Sequence, residues 1–204
     1  MERDEIIAVY DAISEDYDKT FKMPSAHIDA FLQILAPGSL VLDAGCGPGV
    51  DSVYMKSKGH SVIGVDLSQQ MIFLAKQKDS AIPFLCQDIM DLDFKDGFFD
   101  AVLASYSLSY LSKEDAKPCL INFHKMLSKG GLLCLGLQEG ASGEYQLVEP
   151  FNPTLKLWVN VFSMDEIRQL LLETGFEIIQ YFMDPPGEDV ELPYNKLCLI
   201  ARKA

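Results

Sequence analysis

The chain has 204 residues, with 30 acidic against 17 basic side chains and a formal net charge of −13. A surface of that sign repels phosphate backbones and anionic lipid, so neither nucleic acid nor membrane is an expected partner. No apolar stretch approaches the ~20 residues of a membrane-spanning helix. The opening MERDEIIAVYDAISEDYDK lacks the basic and apolar blocks of a secretory signal.

Residues 25–35 place Ile28, Phe31, Leu32 and Leu35 on one helical face, and Pro37-Gly38 ends that helix. The run Leu40-Val41-Leu42 leads into the loop DAGCGPG, then a helical segment to Lys58 that Gly59 closes. Residues 61–65 predict a second strand, and Ser68 caps a helix whose inner face holds Met71, Leu74 and Ala75. Residues 82–86 and 99–104 predict the third and fourth strands. Ser112 caps another helix, which Pro118 divides and Gly130-Gly131 closes, before a fifth strand over 132–137. Residues 138–162 break the alternation and carry Tyr145, Phe151 and Trp158. A capping box, Ser163 to Glu166, opens the last helix. Strands over 176–183 and 196–201 follow as antiparallel neighbours.

Strands alternating with helices predict an α/β fold, a single domain over residues 1–204 built on a mostly parallel sheet. The five cysteines are odd in number and scattered, without a C-x-x-C. Neither a disulfide framework nor a metal site is expected, and the compartment reads as reducing and cytoplasmic. Cys86, Cys134 and Cys198 lie in apolar runs, where a thiol packs as a small hydrophobe.

The most informative stretch runs from Leu40 to Gly49. A buried strand enters a loop with glycines at alternate positions, Gly45, Gly47 and Gly49, and then a helix. Ligands of open parallel sheets bind at such strand ends, and glycine lets them approach the backbone. Asp66, at the end of the second strand, can accept hydrogen bonds from a ribose diol. Asp88, after the third strand, can accept from an exocyclic amine, beside the apolar face of Ile89. Asp43 stands before the first glycine, where a carboxylate repels a pyrophosphate and attracts a cation. Val50 stands where the dinucleotide fingerprint has its third glycine or alanine. S-adenosylmethionine carries a sulfonium and an amino group and no phosphate, so charge selects it over a nicotinamide dinucleotide.

Four segments, Asp43-Ala-Gly-Cys-Gly-Pro-Gly49, Val65-Asp66-Leu-Ser68-x-x-Met71, Asp88-Ile89 and Phe99 to Ser105, resemble in order and spacing the class I S-adenosylmethionine-dependent methyltransferases of small-molecule type. The resemblance implies a Rossmann-like three-layer sandwich, with a seven-stranded sheet whose last strand is antiparallel. It implies that Asp43, Gly45, Cys46 and Gly47 hold the methionine moiety and Asp66 the ribose. Leu67, Met71, Asp88 and Ile89 would surround the adenine, and Ser105 would approach from the fourth strand. Tyr10-Asp11 and Tyr17-Asp18 resemble the family's N-terminal segment, with Tyr17 closing over the cofactor and residues 1–35 as lid helices. Residues 138–162 would flank the substrate.

The expected reaction is in-line displacement of the methyl by a small-molecule acceptor, which requires alignment more than a protein nucleophile. No catalytic residue is assigned. Tyr106 and Tyr110 follow the fourth strand and could line the pocket; Glu139 is a candidate base that reads first as an exposed loop carboxylate. His27, His60 and His124 read as surface or packing residues. Asp184-Pro-Pro-Gly187 reads as a turn. A nicotinamide-dependent oxidoreductase and a non-catalytic cofactor-binding regulator are the alternative readings.

Overall fold

The computed structural model describes residues 3–186 and 192–204. Seven strands form one sheet: β1 (Leu40–Ala44), β2 (Ser61–Asp66), β3 (Phe84–Cys86), β4 (Phe99–Ser105), β5 (Leu127–Glu139), β8 (Phe176–Asp184) and β9 (Asn195–Lys203). Their order is β3-β2-β1-β4-β5-β9-β8, parallel from β3 to β5, with β9 antiparallel to both of its neighbours. This is the expected Rossmann-like sandwich. Val41, Leu42 and Ala44 have no exposed surface, because helices cover both faces and a strand there must be apolar on each side.

One face packs Leu42, Leu135 and Leu199 against α5 (Lys113–Met126) and α6 (Met164–Glu173). The other packs Val41 and Ile200 against α2 (Ile28–Ile34), α3 (Val50–Ser57) and α4 (Gln69–Lys78). From β1 the chain steps outward to β2 and β3, then returns to β4 on the other side of β1. The crevice beyond the carboxyl ends of β1 and β4 lies at that reversal, where sheets of this kind bind ligands.

Three expectations are corrected. Pro118 lies inside the single helix α5 and does not divide it. It removes one main-chain bond near the N-terminus, while Ala116, Cys119, Leu120, Phe123 and Met126 keep a continuous buried face. Gly130 and Gly131 do not close that helix; they lie within β5, which starts at Leu127. Gly130 has φ +73°, and a Cβ on Gly131 would stand 2.9 Å from the Ser128 carbonyl and 3.0 Å from that of Asp100, so the pair forms an irregularity where the strand register shifts. Residues 138–162 are largely ordered into an antiparallel hairpin, β6 (Gly143–Val148) and β7 (Lys156–Val161). Leu157, Val159 and Val161 alternate inward and pack with Val9 and Ile13 of α1 (Arg3–Thr20).

The helix caps agree with the sequence. Ser68, Ser112 and Ser163 each accept a capping hydrogen bond, from Met71 N, Asp115 N and Glu166 N. Cys134 and Cys198 are buried, whereas Cys86 is exposed at the sheet edge, against expectation. Gly187 of the Asp184–Gly187 turn lies outside the described residues. Among the described residues no helix is long and apolar enough to cross a membrane.

Candidate cofactor and acceptor cavity

The glycine turn after β1 is fastened to β2. Gly45 N and Cys46 N both donate to the Val65 carbonyl, at 2.8 and 2.9 Å, and Gly47 N donates to Asp66 Oδ2 at 2.8 Å. Gly45, Gly47 and Gly49 have φ of +84°, +50° and +80°, a region costly for other residues. Gly45 is further constrained, since a Cβ there would meet Ser107 Cβ at 2.5 Å; around Gly47 nothing lies within 4 Å. At Gly49 a Cβ would stand 2.9 Å from both Ala75 Cβ and Phe84 Cζ. Gly49→Ala is therefore expected to cost about 2 kcal/mol and lower Tm by roughly 4–8 °C. Gly38→Ala, with φ +76° and open space around it, is the control for backbone strain alone and should cost less.

Beyond this turn opens a cavity of about 550 Å³. Tyr17, Asp43, Gly45, Cys46, Gly47, Asp66, Leu67, Met71, Asp88, Ile89 and Ser105 all line it, so every cofactor-binding residue expected from the sequence is brought to one place. Met71 is also core, at 1% exposure. Asp66 Oδ1 accepts from Ser68 N at 2.9 Å, which fixes the carboxylate at the end of β2. Asp88 Oδ1 accepts from Met90 N at 2.8 Å, and its Oδ2 is 2.7 Å from Arg3 Nε. Arg3 also pairs with Asp91, so the start of α1 is tied over the outer end of the cavity. Asp11 of α1 accepts from Ser68 Oγ, fastening the same helix to the cap of α4.

Further lining residues went unassigned in the sequence. Asp51, in the first turn of α3, accepts from Ser25 N at 2.7 Å and from Ser25 Oγ at 2.5 Å. Ser25 Oγ is in turn 2.9 Å from Ser105 Oγ. The segment between α1 and α2 is thereby clasped across the glycine turn. Tyr106 and Tyr110 do line the cavity; Tyr106 adopts φ +64°. Glu139 does not line it and instead accepts from Asn195 Nδ2 at 2.9 Å. The carboxylate found at that end of the cavity is Glu149, 3% exposed. His27 packs as expected, stacked on Phe182 and 2.6 Å from Asp184.

Burial pushes the Asp43 carboxyl up to about 8, helped by the neighbouring charge of Asp51 and opposed by a hydrogen bond from Ser52 Oγ at 2.6 Å. Burial also raises Asp51 and Asp66 above the ordinary carboxylate range. Among the described residues none of these three has a cationic partner. Crowded buried carboxylates around a glycine turn repel phosphate and favour a bound cation.

A family described as a methyltransferase domain matches residues 41–131. The chain is 30% identical over 161 residues to a malonyl-[acyl-carrier protein] O-methyltransferase of Hamiltonella defensa, covering 78% of this chain and 57% of that protein. It is 27% identical over 154 residues to a tRNA (carboxymethyluridine(34)-5-O)-methyltransferase of Arabidopsis thaliana, covering 75% of this chain and 37% of that protein. The chain thus spans little more than half of the first relative and less of the second. Its fold is that of a Burkholderia thailandensis 1,6-didemethyltoxoflavin-N1-methyltransferase solved with S-adenosylhomocysteine: TM-score 0.77 and 22% identity, over 99% of this chain and 87% of that one. Together these matches support a class I S-adenosylmethionine-dependent methyltransferase, with its methyltransferase domain over residues 41–131.

Proposed function

We propose that this cavity binds S-adenosylmethionine and delivers its methyl, by in-line displacement, to a small-molecule acceptor. The observation that carries the reading is the meeting of the glycine turn, Asp43, Asp66 and Asp88 on one cavity whose buried carboxylates lack cations. The cofactor would supply a methyl already activated on a sulfonium. The residues present fit it: Gly47 leaves open space where any side chain would intrude, and the carboxylates answer two cations and no phosphate. The same charge disfavours a nicotinamide dinucleotide, whose pyrophosphate would face Asp43 and Asp51.

The role of each residue follows from its position. Asp66, held by Gly47 N and Ser68 N, keeps lone pairs free for two ribose hydroxyls. Asp43 and the turn of Gly45, Cys46 and Gly47 would surround the methionine moiety. Asp88 would be shared between Arg3 and an adenine amine, with Leu67, Met71 and Ile89 as its apolar walls. Tyr17 and the clasp from Ser25 to Ser105 would exclude water. Within one domain over residues 1–204, α1 and the segment through Ser25 act as lid, α2 belonging instead to the layer packed on the sheet, and residues 138–162 act as the acceptor-side wall, in a cytoplasmic setting. The acidic lining supports a small acceptor over tRNA.

A thermal-shift and calorimetric series tests this. S-adenosylmethionine and S-adenosylhomocysteine should each raise Tm, and NADH should not. Label from methyl-labelled cofactor incubated with a cell extract should appear in the small-molecule fraction. Stabilisation by NADH alone would overturn the assignment, and label confined to RNA would overturn the acceptor class.

A further inference from the structure

The part of the cavity lined by α1 and the β6–β7 hairpin has its own chemistry. Glu149, between β6 and β7, is buried; its Oε1 accepts from Phe151 N at 2.9 Å, which fixes the side chain. Among the described residues it has no ionic partner. An unpaired carboxylate is costly to bury in an apolar site, and burial raises its proton affinity accordingly.

The surroundings are aromatic. Tyr10 and Tyr110 meet edge to face at 5.4 Å between ring centroids; Tyr17 lies 4.6 Å from Phe21, and Phe21 5.9 Å from Phe151. Rings at these angles present faces and edges to a flat guest. Leu157 adds an apolar surface. Gln138, at the end of β5, is 8% exposed and its Oε1 has no hydrogen-bond partner, so its amide is a second polar group available to a ligand. Over the whole lining, carboxylates outnumber cationic side chains six to three. Of the three cations, Arg3 is engaged by Asp88 and Asp91, Lys22 is exposed, and Lys196 is half-buried on β9.

We infer that Glu149, Gln138 and the aromatic wall form an acceptor subsite for a flat, unsaturated molecule that is neutral or cationic and presents an N–H or O–H donor. The inference rests on the methyltransferase reading and deepens it. Glu149 accepts the hydrogen bond from the acceptor, and the rings of Tyr10, Tyr110 and Phe151 hold its plane. A carboxylate or phosphate on the acceptor would face Glu149 and be rejected, a selection that works through an unpaired buried group and not through shape alone.

Matched probes on one ring system test this. Full-length protein saturated with S-adenosylhomocysteine is titrated with 5-aminoindole, 5-hydroxyindole and indole-5-carboxylate, for the wild type and for Glu149→Gln. The donor-bearing probes should bind the wild type at least about tenfold tighter than the carboxylate, and Glu149→Gln should erase most of that preference. Equal or tighter binding of the carboxylate would overturn the proposal, as would no binding by any probe, or an unchanged preference in the variant. S-adenosylhomocysteine affinity reports separately on the two readings. Its loss in the wild type would sink the cofactor assignment; its retention in Glu149→Gln shows that the variant is folded and altered only at the acceptor end.

Discussion

Replacing Asp66 with alanine is expected to lower affinity for S-adenosylhomocysteine by at least about 100-fold, from the loss of hydrogen bonds to a charged acceptor. Two contributions combine. The carboxylate would accept from both ribose hydroxyls, and it also holds the glycine turn through Gly47 N, at 2.8 Å. Removing it takes a ligand contact and loosens the backbone against which the methionine moiety would lie. Asp66→Asn should fall between wild type and alanine, since its amide group puts an NH2 donor against Gly47 N or Ser68 N in place of one accepting oxygen. Calorimetry on each variant checks this, with the ligand-free Tm measured alongside. Burial already holds the Asp66 carboxyl above its ordinary range, so alanine relieves a desolvation cost while it orphans Gly47 N and Ser68 N. A folded Asp66→Ala protein that binds as the wild type does would remove Asp66 from the site.

What was legible in the sequence is what short-range rules govern. β1, β2, β4 and β5 are buried on both faces, so each appears as an apolar run. The glycines at 45, 47 and 49 are required by positive φ, and Asp66 and Asp88 are placed by the ends of strands. The hairpin over 143–161 was missed although Leu157, Val159 and Val161 alternate with Trp158 and Asn160, a period-two signal. Pro150 and Pro153 between its strands gave the whole stretch the look of an irregular loop. Ser25, Asp51 and Glu149 were not legible at all. Each acts through partners set by tertiary structure, such as the pairing of Ser25 with Asp51 and Ser105 across 26 and 80 residues. Glu139 drew attention because it follows a strand, yet its side chain turns to Asn195. The carboxylate that reaches the cavity from this part of the chain is Glu149, between β6 and β7.

Affinity for the cofactor should depend steeply on pH, rising by about 50-fold between pH 6 and pH 8. The cause is Asp43. With its carboxyl raised to about 8 by burial and by Asp51, the ligand-free protein holds Asp43 protonated near neutral pH. A cation bound beside it favours the carboxylate, so binding must release a proton throughout the range below about 8. The logarithm of affinity then climbs by about one for each pH unit and levels off once the site is already ionised. Calorimetry in two buffers of different ionisation enthalpy measures that proton directly: close to one released at pH 6.5, and none above about pH 9. Stability of the empty protein should move the opposite way. A folded-state value raised from 3.8 to about 8 gives a contribution fully present below pH 4. It declines as pH rises through that window, by up to about 1.4 kcal/mol per unit. Asp43→Asn should flatten both slopes together, because one carboxyl governs them. Buffer-independent heats with the wild type would show that Asp43 is already ionised in the empty site, and the cluster of Asp43, Asp51 and Asp66 would then need a cation of its own before any ligand arrives.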